Sequence, residues 1–406
     1  MPADIAIVIA AFNRPHSLKR LLDSIARADY SGYSNVPLII SIDYSGNDDC
    51  YRVSEAFDWR FGEKKIIQHP GNLKLKKHIL QCGDLTGQYD GIIMLEDDLT
   101  VSPQFYDYAQ KAFAYYEDEP AVAGIALYHY RYNEFAYCPF EPFADGFDTF
   151  FLQVPCSWGQ LWTRRQWQSF KQFLAEDKEE AEDLFMPAEA LKWPRQSSWK
   201  RIFFKYIVSA NKYFVYPRVS LTTNFGDIGA HYTAEVLIWQ SPLLYGRKEY
   251  AFAGFSSSGC IYDAFFELTE KGYQRLSGQM ISISFDINGS KPLHQIKTTH
   301  LVSAKYCNQP EKKFLPALYP YECNVLQDIT AGEASPHFFA LGKTADFEDR
   351  LVFHRLNTDL QRTFFNAGVI NHAARAEVFQ SADYRIGNFM LKPFRLVKRI
   401  AQKLFK

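Results

Sequence analysis

Four short strand-like segments follow one another near the start of the chain, separated by polar turns or helix-like segments. They cover residues 5–11, 37–43, 64–69 and 91–98. The first, IAIVIAA, is apolar throughout, which is typical of a strand buried on both faces of a parallel sheet. Residues 17–28 place leucine and isoleucine at helical spacing. The alternation predicts an α/β domain whose mainly parallel sheet is flanked by helices.

The length of the chain predicts more than one domain. Its 406 residues exceed the size at which a single hydrophobic core usually stops growing. After Gly246 the strand-like pieces become shorter and are broken by Gly, Ser and Pro, as around 280–287. We therefore expect a first domain over 1–245, a smaller α+β accessory domain over 246–385 and a basic tail over 386–406.

The composition favours a folded cytoplasmic protein. Hydrophobic residues make up 47% and the formal net charge is −1, so disorder and a dedicated polyanion binder have no support. Seven cysteines without a C-x-x-C pair favour a reducing compartment. The apolar run 5–12 lacks the basic region of a signal peptide, and no uncharged run approaches the ~20 residues of a membrane span.

Charged side chains follow the predicted strands at their carboxyl ends, where ligands gather in α/β sheets. Glu96, Asp97 and Asp98 come directly after a hydrophobic run, and acids so placed repel one another unless a cation joins them. Carboxylates favour Mg²⁺ or Mn²⁺, which proteins hold together with substrate phosphates. Arg14, before a helix, suits a phosphate, and Asp43 suits a base or ribose. The alternative is a solvated acidic turn in which Asp98 caps the next element.

Five motifs carry a resemblance to a known family. They are VIAAFNRP (8–15), IISIDYSG (39–46), IIMLEDDLTVSPQFYDY (92–108), PCSWGQLWTRRQW (155–167) and NFGDIGAHY (224–232). In this order they resemble GT-A glycosyltransferases, especially N-acetylglucosaminyltransferase I and the bacterial family 2 enzymes. The resemblance implies a GT-A fold and a nucleotide-sugar donor, UDP-linked, for the domain 1–245.

The resemblance also implies the residues that bind the donor. Arg14 would lie near the nucleotide or its phosphates, and Asp43 near the base. Asn72 would line the nucleotide side. Glu96 and Asp97 would contact the ribose and the donor sugar.

The same resemblance implies a metal site and a mobile cover. Asp98 would be the direct ligand of Mn²⁺ or Mg²⁺, and the loop with Gly226 would cover the bound donor. Trp158, Trp162 and Trp167 have near-helical spacing, which favours core packing for at least two of them. We keep Trp158 as a donor or acceptor contact because it lies in the resembling SWG turn.

The general base is the point at which the chain departs from the family. The closest relatives carry an aspartate between tryptophans, whereas residues 193–200 read WPRQSSWK, without a carboxylate. Asp227 and His231 in the covering loop are the nearest alternatives, and Asp183 or Glu189 could serve if the alignment slips. A turn role for Asp227 beside Gly226 and Gly229 is at least as well supported, and a lone histidine such as His231 more often makes a structural hydrogen bond than acts as a catalyst.

Residues 390–406 predict a basic amphipathic helix. Apolar side chains form one stripe and Lys or Arg fill the rest, a pattern that suits an anionic membrane surface. A terminal helix docked on its own domain is the alternative. Nucleic acid is disfavoured as a partner because the rest of the chain is net acidic.

Together these features predict a function class. The chain would be an inverting, metal-dependent glycosyltransferase on the inner face of the plasma membrane, acting on a glycan or lipid-linked saccharide in bacterial surface polysaccharide synthesis. A non-catalytic nucleotide-sugar or glycan-binding module is the alternative. A sugar-phosphate nucleotidyltransferase would need a Gly-rich phosphate loop after the first strand, which the sequence lacks.

Overall fold

The computed structural model describes residues 2–176, 184–227, 237–332 and 338–352. The strands within these ranges are β1 (Ile5–Ala11), β2 (Leu38–Ile42), β3 (Lys64–Gln68), β4 (Gly91–Glu96), β5 (Leu99–Val101), β6 (Val122–Ala126), β7 (Tyr132–Asn133), β8 (Cys138–Pro139), β9 (Thr149–Leu152), β10 (Gln160–Thr163), β11 (Tyr213–Pro217), β12 (Thr222–Asn224), β13 (Ile261–Tyr262), β14 (Ile283–Asp286), β15 (His300–Ser303), β16 (Lys305–Cys307), β17 (Lys312–Phe314), β18 (Phe339–Lys343) and β19 (Phe347–Leu351). The α-helices are α1 (Pro15–Ala26), α2 (Asp49–Ala56), α3 (Lys74–Gly83), α4 (Phe105–Tyr116), α5 (Arg164–Glu176), α6 (Ala188–Leu191), α7 (Trp199–Ser209), α8 (Glu270–Ser277) and α9 (Glu322–Leu326). Short 3-10 helices lie at Asp84–Gly87, Leu293–Gln295 and Thr344–Asp346.

A nine-stranded sheet forms the centre of the molecule, in the order β13-β9-β11-β6-β10-β4-β1-β2-β3. β4, β1, β2 and β3 run parallel to one another. β10 is antiparallel to both β4 and β6, and β9 is antiparallel to β11. The sheet is therefore mainly parallel, as the sequence predicts.

Helices cover both faces of the sheet, which explains why the strands are apolar on both sides. Ile5, Ile7 and Ile9 of β1 belong to one apolar cluster, together with residues of α1 and α4. Ala6 and Val8 point to the other face and belong to a second cluster with residues of α3, α5 and α7. The predicted α/β fold of the GT-A type is confirmed.

The parallel strands bring their carboxyl ends to a common edge. Ala11 of β1 pairs with Ile42 of β2, and Ala10 pairs with Glu96 of β4. The segments that follow these strands therefore start side by side, and they carry the charged side chains singled out above.

The later part of the described chain contributes to more than one sheet. β13 joins the nine-stranded sheet beside β9, although it lies beyond residue 246. β14, β15, β18 and β17 form a separate four-stranded sheet. The domain boundary at 245/246 stays a prediction. The tail 386–406 lies outside the described residues, among which no helix is both long and apolar enough to cross a membrane.

Candidate active site

Acidic side chains at the end of β4 meet Arg14, which directly precedes α1. The Arg14 guanidinium is ion-paired with Asp97 and, at 3.0 Å, with Asp98. The Asp97 side chain is 3% exposed and that of Asp98 16%. The structure therefore brings together Arg14, Asp97 and Asp98 at the carboxyl edge of the sheet.

The single positive charge of Arg14 does not fully neutralise the carboxyl groups of this cluster. Burial, together with the charges of Asp98 and Asp97, raises the pKa of Glu96 to about 8. Burial also raises the pKa of Asp97 to about 6, although Arg14 opposes the shift. Burial acts to lower the pKa of Arg14, but attraction to Asp97 and Asp98 outweighs it and raises that pKa above its ordinary value. A further cation would therefore be stabilised here.

Asp98 offers an oxygen atom to such a cation. Its Oδ2 accepts a hydrogen bond from Arg14, whereas its Oδ1 is buried without a hydrogen-bond partner. Leaving a buried acceptor unsatisfied is costly, so this atom fits ligation of a hard divalent ion. Within the described ranges no group of three or more His, Cys, Asp or Glu side chains could hold a metal. Mg²⁺ is usually held by one or two carboxylates together with substrate phosphates.

Asp43 and Asn72 lie in two neighbouring loops at the same edge. The Asp43 side chain is buried and accepts hydrogen bonds from the backbone N–H groups of Leu73 at 2.7 Å and Lys74 at 3.1 Å. Asn72 donates from Nδ2 to the Tyr44 carbonyl at 3.1 Å. These contacts fix the loop before α3 against the loop after β2. The contact of Asp43 with a nucleotide base stays a prediction.

The segment after β12 lies against the acid cluster. The backbone N–H of Phe225 donates to the Asp98 carbonyl at 3.0 Å. Gly226 has a φ of +69°, a left-handed conformation that favours glycine, and its N–H donates to Asn224 Oδ1 at 2.6 Å. His231 lies outside the described residues.

Asp227, a candidate general base, is bound to α1. Its carboxylate is ion-paired with Arg20 and accepts a hydrogen bond from Ser17 Oγ at 2.7 Å. Arg20 also stacks on Phe225, with 3.5 Å between the guanidinium carbon and the ring centre. Burial acts to raise the pKa of Asp227, but the Ser17 and Arg20 contacts outweigh it and hold that pKa below its usual range. The geometry gives Asp227 an anchoring contact, and its catalytic role stays a prediction.

A family model matches the part of the chain that carries Arg14, Asp43, Asn72 and the acids after β4. The model of glycosyl transferase family 2 matches residues 6–187. Residues 6–187 are therefore similar to glycosyl transferase family 2. This match agrees with the resemblance that the motifs predict.

Solved structures are similar to this chain only at a low level. The mannosyltransferase PcManGT from Pyrobaculum calidifontis, in complex with GDP-Man and Mn²⁺, is 10% identical with a TM-score of 0.31; the match covers 43% of this chain and 47% of that one. S. aureus TarS 1–349 in complex with UDP is 11% identical with a TM-score of 0.35, covering 54% and 59%. The chain thus spans roughly half the length of each protein. No curated protein sequence matches it.

Trp158 is half-buried and belongs to an aromatic cluster. Its ring stacks on Trp239, with ring centres 5.1 Å apart, and meets Tyr128 and Tyr130 edge-on. Its carbonyl accepts a hydrogen bond from Thr222 Oγ1 at 2.5 Å. The contact of Trp158 with a donor or acceptor stays a prediction.

The other two tryptophans of the motif are core residues, as their pattern predicts. Trp162 on β10 and Trp167 on α5 are buried, and their ring centres are 4.7 Å apart. They pack in the apolar cluster below the sheet edge, so they have no access to a substrate.

A charged pair beside Trp158 escaped the sequence analysis. Lys200 of α7 donates to Glu134 Oε1 at 2.8 Å and to the Tyr130 hydroxyl at 3.3 Å. Its ammonium lies 5.4 Å from the centre of the Trp158 ring. Glu134 lies 66 residues from its partner in a segment without a motif, so no local pattern could have pointed to the pair.

Proposed function

We propose that the chain is a metal-dependent, inverting glycosyltransferase that moves a sugar from a nucleotide diphosphate donor, a UDP-sugar, to a glycan or lipid-linked saccharide. The observation that supports this most directly is the buried, unpartnered Oδ1 of Asp98 beside Arg14. It lies in the segment that is similar to family 2, at the sheet edge where α/β proteins bind ligands.

The donor diphosphate would lie between Arg14 and Asp98. A guanidinium at a helix N-terminus matches phosphate oxygens in charge and geometry. Asp98 would hold Mn²⁺ or Mg²⁺, which when bound supplies positive charge to the leaving diphosphate. The nucleotide and sugar would contact Asp43, Asn72, Glu96, Asp97, Trp158 and Gly226.

Inversion requires attack from the face opposite the leaving group. The acceptor oxygen would bond to the anomeric carbon while the bond to the diphosphate breaks, and the electron pair would leave with the nucleotide. The hydroxyl proton must pass to a base, for which Asp227 and His231 are the predicted candidates. Inversion itself is proposed from the family resemblance.

The cellular setting is proposed from the sequence. The basic tail 386–406 would hold a cytoplasmic enzyme on the anionic inner face of the plasma membrane. Lipid-linked acceptors of surface polysaccharide synthesis would meet it there. The region 246–385 would bind the acceptor or support assembly.

Nucleotide release tests the proposed activity. The protein is incubated with Mn²⁺ and a panel of nucleotide sugars, with and without saccharide acceptors, and free nucleotide is measured. Release that depends on the acceptor supports a transferase. Tight donor binding without release from any pair contradicts it and supports the non-catalytic module.

A matched pair of variants tests the metal ligand. Asp98→Asn should weaken Mn²⁺-dependent binding of UDP by at least about a hundredfold, because loss of a direct ligand exceeds the 10–100-fold cost of losing an outer partner. The control is Asp90→Asn, an exposed acid at the opposite end of the same strand. Calorimetric titration of UDP into each variant, with Mn²⁺ or EDTA, gives the affinity. Equal affinities in the two variants would exclude Asp98 as the ligand.

A further inference from the structure

The segment in which the family's catalytic aspartate is missing serves to begin a helix. Ser198 is the N-cap of α7, and its Oγ accepts a hydrogen bond from the Arg201 N–H at 3.1 Å. The Arg201 guanidinium donates to the carbonyls of Leu191 and Trp193. Ser198 and Arg201 are thus engaged with backbone groups, and residues 191–201 contain no carboxylate.

A carboxylate nevertheless reaches the first turn of α7 from another part of the chain. Glu134 follows β7, and its Oε1 accepts hydrogen bonds from Lys200 at 2.8 Å and from the Tyr130 hydroxyl at 3.0 Å. The side chains of Lys200 and Glu134 are 12% and 14% exposed. Among the described residues, none donates a hydrogen bond to the second oxygen, Oε2. One oxygen is therefore fixed in place while the other can accept a proton.

A short series of contacts connects Glu134 with the metal ligand. Lys200 lies over the Trp158 ring at 5.4 Å, and the Trp158 carbonyl is bonded to Thr222. Thr222 belongs to β12 and lies opposite Val101 of β5, the strand that begins directly after Asp98. Trp158 thus contacts the Lys200–Glu134 pair through its ring and the strand beside β5 through its carbonyl, which places Glu134 in the neighbourhood of the acid cluster.

We propose that Glu134 is the general base of the transferase. This assignment rests on the proposed function. Its Oε2 takes the proton as the acceptor O–H bond breaks, and the acceptor oxygen bonds to the anomeric carbon. The bond from that carbon to the diphosphate breaks, and its electron pair leaves with the nucleotide. Lys200 and Tyr130 hold the carboxylate in position during this step.

The test uses the full chain, Mn²⁺ and a donor–acceptor pair that the wild type turns over. Glu134→Gln should lower kcat by about 10²–10⁴, the usual contribution of a general base, while UDP affinity in Mn²⁺ stays within about twofold of wild type. Glu141→Gln, an exposed carboxylate in the same region, is the control and should keep wild-type kcat. A kcat of Glu134→Gln within threefold of wild type overturns the proposal.

Two further variants show whether a loss of activity comes from the loss of the base. If Glu134→Gln fails to bind UDP, Glu134→Asp is used instead, because the shorter side chain keeps the negative charge but moves the carboxylate oxygen away. The kcat of Glu134→Asp should then be at least about tenfold lower than that of the wild type. A wild-type kcat in this variant would refute the assignment of Glu134 as the base. Loss of turnover in Asp227→Asn with retained turnover in Glu134→Gln would assign the base to the covering loop. Absence of turnover in the wild type with every donor and acceptor would contradict the proposed transferase itself, independently of Glu134.

Discussion

Replacing Arg14 with methionine should destabilise the metal-free protein far more than an ordinary surface substitution does. At 3.0 Å the Arg14–Asp98 attraction alone is about 5 kcal/mol at an effective dielectric constant of about 20. Desolvation of the guanidinium offsets part of it, and Arg14 is 24% exposed. Breaking a buried ion pair costs about 3–5 kcal/mol, so with partial screening we expect a loss of about 2–4 kcal/mol.

The assay is equilibrium unfolding in urea with EDTA at two pH values. Arg14 lowers the pKa of both Glu96 and Asp97, which burial raises to about 8 and about 6. Acids with raised pKa values stabilise the fold in their neutral form, and this contribution is lost as pH rises through those values. Without Arg14, ionisation of Glu96 and Asp97 destabilises the fold more strongly. The difference in free energy of unfolding between wild type and Arg14→Met should therefore grow between about pH 5.5 and about pH 8.5.

The control is Arg165→Met, which removes an exposed ion pair with Asp118 and should cost less than about 1 kcal/mol at either pH. Adding Mn²⁺ should stabilise Arg14→Met more than wild type, because the ion no longer competes with the guanidinium for Asp98. A loss no larger than that of the control, or one that is the same at both pH values, would refute the view that Arg14 neutralises the acid cluster.

Two other predictions concern regions outside the cluster. Asp227→Asn should raise the donor KM several-fold and lower kcat by less than about tenfold, because the substitution releases an anchored loop. Initial rates over a range of donor concentrations test this prediction. A hundredfold fall in kcat at unchanged KM would instead indicate that Asp227 is the general base. Deleting residues 388–406 should abolish sedimentation with anionic vesicles while leaving turnover of a soluble acceptor unchanged. Neutral vesicles are the control. Binding of the deletion variant to anionic vesicles would contradict a membrane role for the tail.

The strands and the edge at which Arg14, Asp43 and Asp98 lie could be predicted from local sequence. Each parallel strand is a short apolar run, and its length and flanking polar residues fix where it ends. Because parallel strands end at a common edge, residues far apart in sequence could be placed together without any knowledge of side-chain packing. The family motifs follow those same strands and so agreed with this placement.

The partner of each charged side chain could not be predicted in this way. Asp227 lies 207 residues from Arg20, and Glu134 lies 66 residues from Lys200. Neither pair belongs to a periodic pattern, so no local signal connects its two members. Such contacts depend on how helices and loops pack on the sheet, and that packing is decided by the sum of many distant interactions.

The amino-acid sequence by itself determined the parallel sheet and the acidic edge, because the periodicity of buried strands is a local property. Only the tertiary structure decided which acid is neutralised by Arg14, which oxygen of Asp98 is left for a metal ion, and which carboxylate stands beside Trp158. Those outcomes depend on distances between side chains that the chain brings together only when it folds.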